Sequence, residues 1–325
     1  MVEGGFRGLV KMKINPLKWS TLRSGRFVTI RAIAVAFVLA LAYPPAVTVA
    51  GTVVDQLGRQ VNLPEHPERI VALAPSITEI VFALNAENRL VGVTRFSDYP
   101  QAAQRLPKVG SYVHLDLEKI VSLGPDLCIA VKDGNPISVI RRLEALGIPV
   151  YAVDPRDIDA VLDTIVEIGR VLDAKPRAAA LAGDLRRRIE QVRSKAAAAP
   201  RKPKVFFQIG ITPIVSVGTE TFIHELIGLA GGVNLAAGST PYPRFSREQV
   251  LAMAPEIFII TSMARGETFE QVKAGWMQWP SMPAAKSGRI LLVDSNLFDR
   301  ASPRLVDGLE ELARIIHPDI FGDPS

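Results

Sequence analysis

The sequence predicts an α/β fold of two lobes, each a central, mostly parallel sheet flanked by helices, with one long rigid helix joining them. Three observations predict it. The segment Asp116–Leu127 recurs 130 positions later as Ser246–Ile257, so that a helix cap, a glutamate, an apolar pair, a Pro-acid turn and a strand follow one another in the same order twice. Short apolar runs alternate with amphipathic stretches around each copy, the order of a parallel sheet covered on both faces. Between the copies lies a helical stretch without the Gly/Ser content of a flexible linker. Two like lobes leave a cleft between them, a common way to hold a small ligand.

Each element has its own signal. Arg69–Ala74 is a short apolar run and reads as a buried strand. Ser76-Ile77-Thr78-Glu79 has the spacing of a capping box and opens a helix whose buried face is Ile77, Ile80, Val81 and Leu84. Leu90–Thr94 and Leu127–Val131 are further strands, the second preceded by a helix over Leu117–Leu123. A helix over Arg141–Leu146 ends at Gly147 and leads to a strand at Val150–Val153. Val161, Ile165, Ile168 and Leu172 form one helical stripe, and Leu181, Leu185, Ile189 and Val192 another after Pro176, which suits a first helical turn. A helix from about 176 to 197 is roughly 33 Å long, enough for a strut running the length of both lobes. The second half restarts with a strand at Lys204–Ile209. A helix over Phe222–Leu229 stops at Gly231-Gly232, strands follow at Phe258–Thr261 and Arg289–Asp294, and a last helix spans Pro303–Ile316. The expected organisation is a signal at 1–50, an N-terminal lobe at 51–174, the connecting helix at 175–199 and a C-terminal lobe at 200–325.

Charge excludes one class of partner. The formal net charge is +5, but residues 1–50 hold seven Lys/Arg and one acid, leaving 31 basic and 32 acidic side chains in the rest. A near-neutral body gives no support to nucleic-acid binding. The basic N-terminus, the apolar run Ala32–Tyr43 and the small residues Thr48-Val49-Ala50 follow the order of a secretory signal. The run is shorter than the ~20 residues of a membrane-spanning helix. An uncleaved anchor is the alternative, and Met12 is an alternative start. The single cysteine, Cys128, falls in a strand, forms no internal disulfide and reads as a small buried hydrophobe. No cysteine follows the signal to carry a lipid, so the expected location is the periplasm, as a soluble protein.

Lys204–Gly210, Ser246–Leu251 and Phe298–Arg304, with Phe96–Pro100 and Leu117–Ile120, resemble the periplasmic vitamin B12-binding proteins of ABC importers, within the wider family that binds iron-siderophores, haem and cobalamin. The resemblance runs from about residue 69 to 316. It implies the fold of the class III periplasmic binding proteins, ligand capture between the lobes, and delivery to a membrane permease without covalent chemistry. It places Glu118 and Glu248, the pair in the repeat, as carboxylates that dock into arginine pockets of the permease. Two exposed carboxylates on one rigid body give avidity and orientation, although a glutamate in the first turn of a helix is favoured by the macrodipole in any case. It places Phe96, Tyr112, Val131, Val215, Tyr242, Asn296 and Arg300 in the cleft. Tyr112 and Tyr242 stand there for tryptophans, Val131 and Val215 for aromatics, and Asn296 for an acid. Phe96 and Tyr112 offer flat apolar surface to a macrocycle, and Asn296 and Arg300 hydrogen-bond amides or carboxylates. The alternative reading is a ferric-siderophore or haem binder in which Arg95, Arg244 and Arg300 face an anionic guest. Asp299, Arg300 and Arg304 also read as a salt bridge within one lobe.

Other chemistries find little support. His66, His114, His224 and His317 are scattered, and only His114 falls near an expected cleft position, so no resident metal or cofactor is expected. An axial contact from His114 to a bound cobalt or haem iron stays open. Gly-x-Ser-x-Gly and phosphate-loop patterns are absent from the sequence, and no enzymatic activity is expected. The expected partners are the permease and a corrinoid or ferric chelate, with the protein a monomer.

Overall fold

The computed structural model describes residues 49–261 and 268–324. The expected signal therefore lies outside the described residues except for Val49 and Ala50. Those two begin β1 (Val49–Val54), which pairs with β2 (Gln60–Pro64) as an antiparallel hairpin, a feature the sequence reading did not anticipate.

The N-terminal lobe follows as β3 (Ile70–Ala72), α1 (Pro75–Ala83), β4 (Leu90–Val93), α2 (Leu117–Ser122), β5 (Leu127–Val131), α3 (Ile137–Ala145), β6 (Val150–Val153) and α4 (Ile158–Val171). Its sheet has the order β4-β3-β5-β6 and is parallel throughout. Alternate residues of the strands bury on opposite faces. Ile70, Ala72, Leu127, Ile129, Tyr151 and Val153 join one core, and Val71, Leu73, Cys128, Ala130, Val150 and Ala152 join another. Both faces are apolar because helices cover both. Burial pushes the Cys128 thiol up to about 12.

The C-terminal lobe contains β7 (Lys204–Gly210), β8 (Ile214–Ser216), α6 (Phe222–Leu229), β9 (Val233–Asn234), β10 (Arg244–Phe245), α7 (Arg247–Met253), β11 (Ile257–Ile260), α8 (Thr268–Met277), α9 (Pro283–Lys286), β12 (Ile290–Leu292), α10 (Ser295–Phe298), α11 (Leu305–Ile316) and α12 (Pro318–Phe321); α5 (Lys175–Ala197) precedes it. Strands β9, β7, β11 and β12 run parallel, while β8 and β10 add an antiparallel edge. The second half thus departs from the first, in which every strand of the sheet is parallel. The two-residue strands β9 and β10 carry too little periodicity to be read from sequence.

The repeated motif is a repeat in three dimensions. Asp116 and Ser246 cap α2 and α7 through the N–H groups of Lys119 and Gln249. Eight residues on, Gly124 and Ala254 take the left-handed conformation, at φ 54° and 51°. The acids after the prolines do the same work in each lobe. Asp126 accepts the N–H groups of Glu68 and Arg69 at 2.8 and 3.0 Å, and Glu256 accepts that of Lys204 at 2.9 Å. Each acid thereby ties the start of its own strand to the start of the neighbouring central strand.

Helix α5 has 23 residues, about 34 Å of rise, with Pro176 in its first turn. Its buried line is Ala178, Ala182, Leu185, Val192 and Ala196, with Leu181 and Ile189 partly covered. Small residues face α4 because the two helices cross closely: a Cβ on Gly169 would lie 2.2 Å from the Ala178 Cβ. On the other side, Arg188 donates to Asp307 and Glu310 of α11 at 2.6 and 2.8 Å. One core runs from α1 and α4 through α5 into α6 and α11, so residues 49–325 form one unit. Where α4, α5, α6 and α11 converge, only about 10 Å³ stays unfilled, lined by apolar side chains.

Two glycines separate crossing from propensity. Gly169→Ala is expected to destabilise the fold by about 1–3 kcal/mol through overpacking. Gly183→Ala, on α5 with nothing within 4 Å of its new methyl, should stabilise by about 0.5–1 kcal/mol. Urea unfolding of both variants checks the pair, and equal effects would contradict the close crossing.

Candidate functional site

A cleft of about 1820 Å³ separates the lobes. It opens beyond the ends of β3, β4, β5 and β6 on one side and of β7 on the other, where loops and helix N-termini meet. Ligand sites of open α/β sheets lie at strand ends for the same reason: the sheet is filled, and the turns beyond it are free to diverge.

Aromatic rings line it. Phe96 is 43 % exposed and meets Tyr112 edge to face, with centroids 6.1 Å apart. Arg95 lies over the Phe96 ring at 4.9 Å. Tyr112 packs against Gly134, where an added Cβ would come within 3.1 Å of the tyrosine ring. Tyr242 projects from the Pro241–Pro243 loop of the other lobe and is 56 % exposed. Burial, then the charges of Asp133 and Asp299, push its phenol up from the ordinary value, and all three residues line the cleft. Val131 lines the wall at the end of β5, and Asn296 lines it from α10. Val215 does not line the cleft. Its side chain packs over Gly210 within β8, and Ile209, Phe222 and Ile223 provide apolar wall on that side.

Arg300 reaches the cleft but its guanidinium is taken. Nη1 donates to Glu79 at 2.8 Å and to Asp98 at 2.9 Å, and Nη2 donates to the Phe96 carbonyl at 3.0 Å. Arg304 donates to both oxygens of the same Glu79, from Nε at 2.9 Å and from Nη2 at 2.8 Å, and stacks on the Tyr99 ring at 3.8 Å. The Ser302 hydroxyl donates to Glu79 at 2.7 Å. The expected salt bridge within one lobe is therefore a bridge between lobes. Glu79 sits on α1 with its side chain 2 % exposed, and the arginines come from the loop before α11 at 10 % and 14 %. Although burial would lower it, the bonds to Glu79 hold the Arg304 guanidinium above its ordinary value. The capping box expected at Ser76–Glu79 does not form. The helix starts two residues earlier, Pro75 occupies its first turn, and Ala74 is an N-cap without a side-chain bond. The sequence did carry a signal for Glu79: an acid on the face of Ile77, Ile80 and Val81 must find a partner.

A second tie joins the lobes at the cleft floor, where Glu225 of α6 accepts the N–H of Ile158, at the start of α4, at 2.9 Å. Burial raises the Glu225 carboxyl above the usual range against the pull of that bond.

The cleft is acid-rich, with seven carboxylates against four Lys/Arg among its lining residues. Arg156 is bound to Asp154 at 2.9 Å, and Lys108 donates to the carbonyls of Ser97 and Ala103. Arg244 is exposed on β10 and is absent from the lining. Asp133 and Asp299 have no ion-pair partner among the described residues. Burial pushes Asp299 up to about 7, against the nearby Arg300. Two histidines line the cleft, His114 and His224, where the sequence pointed only to His114. Among the described residues no cluster of three or more His, Cys, Asp or Glu could hold a metal ion.

Glu118 and Glu248 are exposed and occupy the same place in the two copies of the motif, the second residue of α2 and of α7. Its own N–H, then the Ser246 hydroxyl, hold Glu248 below the usual carboxylate range. Among the described residues no helix is long and apolar enough to cross a membrane.

Residues 70–297 match the periplasmic binding protein family. The vitamin B12-binding protein of Yersinia pestis (strain Pestoides F) is 31 % identical over 248 residues, 76 % of this chain and 85 % of that protein. Among solved structures, the periplasmic vitamin B12 binding protein BtuF of Vibrio cholerae superposes with a TM-score of 0.69 at 30 % identity, covering 77 % of this chain and 96 % of that one. A periplasmic heme binding protein from Pseudomonas aeruginosa superposes with a TM-score of 0.71 at 30 % identity, covering 78 % and 94 %. The chain belongs to the periplasmic binding protein family, a family of substrate-binding proteins.

Glu79→Gln removes the charge that two buried arginines share and is expected to cost about 3–5 kcal/mol in urea unfolding. Asp299 acts in the opposite sense. Its folded-state value lies above the unfolded one, so the folded state holds the extra proton, and stability falls as pH rises from about 4 to about 7. Asp299→Asn should flatten that slope in thermal unfolding and raise stability at pH 8; an unchanged slope would contradict the assignment.

Proposed function

For this member of the periplasmic binding protein family, we propose that the chain captures cobalamin or a related corrinoid in its inter-lobe cleft and hands it to an ABC importer. The observation that carries the choice of guest is the sign of charge in the cleft. Seven carboxylates face four cations, and Arg300 is committed to Glu79 and Asp98. A haem with two propionates would meet repulsion there, and of the three arginines that reading requires, only Arg95 lines the cleft with no carboxylate on it among the described residues. A corrin whose side chains are amides instead finds acceptors for its N–H groups and flat rings for its face. The volume agrees, since about 1820 Å³ exceeds the roughly 300–1,000 Å³ of sites for drug-sized ligands.

In this reading Phe96, Tyr112 and Tyr242 pack on the macrocycle, Val131 adds apolar wall, and Asn296 hydrogen-bonds an amide. Arg300 shapes the floor while it holds the lobes together. Glu118 and Glu248, presented alike by two copies of one motif, dock into basic pockets of the permease. Residues 1–50 direct the chain across the inner membrane, and the protein works as a monomer by binding and docking alone, without a catalytic step or a resident cofactor.

Fluorescence quenching with cyanocobalamin, hemin and a ferric hydroxamate tests the guest. Cyanocobalamin should bind at least tenfold more tightly than the others, and a tighter ferric chelate would overturn the assignment. Tyr242→Ala should weaken cyanocobalamin binding about tenfold, roughly 1.4 kcal/mol. The double variant Glu118→Ala/Glu248→Ala should abolish uptake by cells while binding in solution is unchanged; weakened binding in solution would argue against a docking role.

A further inference from the structure

His224 stands on the C-terminal wall of the cleft, at the third residue of α6, with its side chain half-buried. Its ring is held by Asn234, the last residue of β9 and only 7 % exposed. The neighbours of Asn234 fix its amide without ambiguity. The Ala236 N–H donates to Oδ1 at 3.0 Å, so that atom is the oxygen. Nδ2 lies 2.7 Å from the Val217 carbonyl, which only accepts. The second hydrogen of Nδ2 then points to Nδ1 of His224, 3.0 Å away. An amide nitrogen has no lone pair to offer, so Nδ1 must be the acceptor. The imidazole is neutral and its proton sits on Nε2. That atom has no hydrogen-bond partner among the described residues.

We propose that His224 is a fixed N–H donor to the guest, locked in the Nε2–H tautomer by Asn234. It recognises a neutral oxygen acceptor, the carbonyl of a corrin carboxamide, and cannot serve as an axial ligand to the metal. The guest named here rests on the corrinoid reading; the tautomer does not. A metal ligand needs the Nε2 lone pair, and freeing it would move the proton to Nδ1, against the Asn234 N–H. Reversing the amide to accept that proton would break its bonds to Ala236 and Val217 together. The surroundings select the acceptor. Glu225 and Glu220 line the same wall, so an anionic oxygen is repelled there while a carboxamide is not. Its carbonyl takes the histidine proton, and its N–H₂ can turn toward the carboxylates.

Two-bond ¹H–¹⁵N correlation on the ¹⁵N-labelled free protein reads the tautomer directly. The expected result is a protonated Nε2 and a bare Nδ1 on His224; a protonated Nδ1 would overturn the proposal before any ligand is added. Aquocyanocobinamide, which has a labile water on cobalt, then tests the role. Its absorption spectrum should keep its water-ligated form on binding, whereas the shift of an imidazole-for-water exchange that disappears in His224→Phe would overturn it. By calorimetry His224→Phe should bind about fivefold more weakly, the worth of one neutral hydrogen bond. His224→Gln, whose amide nitrogen reaches the place of Nε2, should stay within about twofold of wild type. Equal affinity in all three proteins refutes the donor. A wild-type protein that binds no cobinamide refutes the corrinoid reading and the guest with it, and the tautomer measured beforehand tells these failures apart.

Discussion

The relation between the lobes depends on one carboxylate. Glu79 projects from an apolar helix into a nearly dry space and accepts four hydrogen bonds, all from the opposite lobe: one from Arg300, one from Ser302 and two from Arg304. Charges withdrawn from water this far persist only when paired and fully hydrogen-bonded. The planar fork of Arg304 spans both oxygens, and Arg300 fills the remaining direction while also holding Asp98. Such a set of bonds is satisfied at one lobe angle, because a rotation of either lobe would strand three buried polar groups at once. The apolar core shared by α1, α4, α5, α6 and α11 acts in the same sense. The strut therefore works as part of a clamped body, with the buried pair at the cleft and the Arg188 bridges to Asp307 and Glu310 on its flank.

A clamped cleft must recognise its guest with groups that are already in place. Binding energy then goes to contacts rather than to closing the lobes, and selectivity follows from the preset array. The array here mixes rings, carboxylates and a few donors. Committing Arg300 to the inter-lobe bond removes the strongest cation from ligand recognition and leaves the cleft acidic. The same residue thus sets both the stability of the body and the sign of the field a guest meets.

The sequence made the architecture legible because strands and helices here obey their periods. The runs at Leu127–Val131, Val150–Val153 and Phe222–Leu229 are observed with those bounds, since each is bracketed by a Gly or Pro that ends it. The repeat was legible for a deeper reason: its Pro-acid turn performs a fixed task, tying two strand starts, and that task demands the same residues in both lobes. The β8–β10 edge was not legible because its pairing spans only two residues on each strand, too few for a period to show. Glu79 was misread because a serine three residues before a glutamate satisfies a local rule, while Pro75 had already supplied the helix start and freed the glutamate for a distant partner. Val215 was misplaced because position along a strand fixes which face a residue takes only where the register is known, and the register shift between Gln208 and Gly210 turns it onto Gly210. His224 was overlooked because its partner lies ten residues on, in a two-residue strand whose side-chain bonds no spacing rule reveals.

Glu79 and Asp299 show how unequally two acids near the same arginine are supplied with donors. Both are carboxylates near Arg300. Glu79 is the more deeply buried, and its oxygens are saturated by guanidinium and hydroxyl donors. Asp299 is three residues from Ser302 and next to Arg300 in the chain, but the guanidinium turns to the other lobe, and Asp299 lines the cleft. It loses water without gaining a side-chain donor among the described residues, and its proton is held to about pH 7. The supply of donors, rather than depth, separates the two. The inter-lobe bond therefore has a consequence inside the cleft: with Arg300 held by Glu79 and Asp98, Asp299 is a carboxyl that carries a proton near neutrality, able to donate to a carbonyl when protonated and to accept from an amide when not. A guest whose rim is made of carboxamides is the chemical type that both forms accommodate.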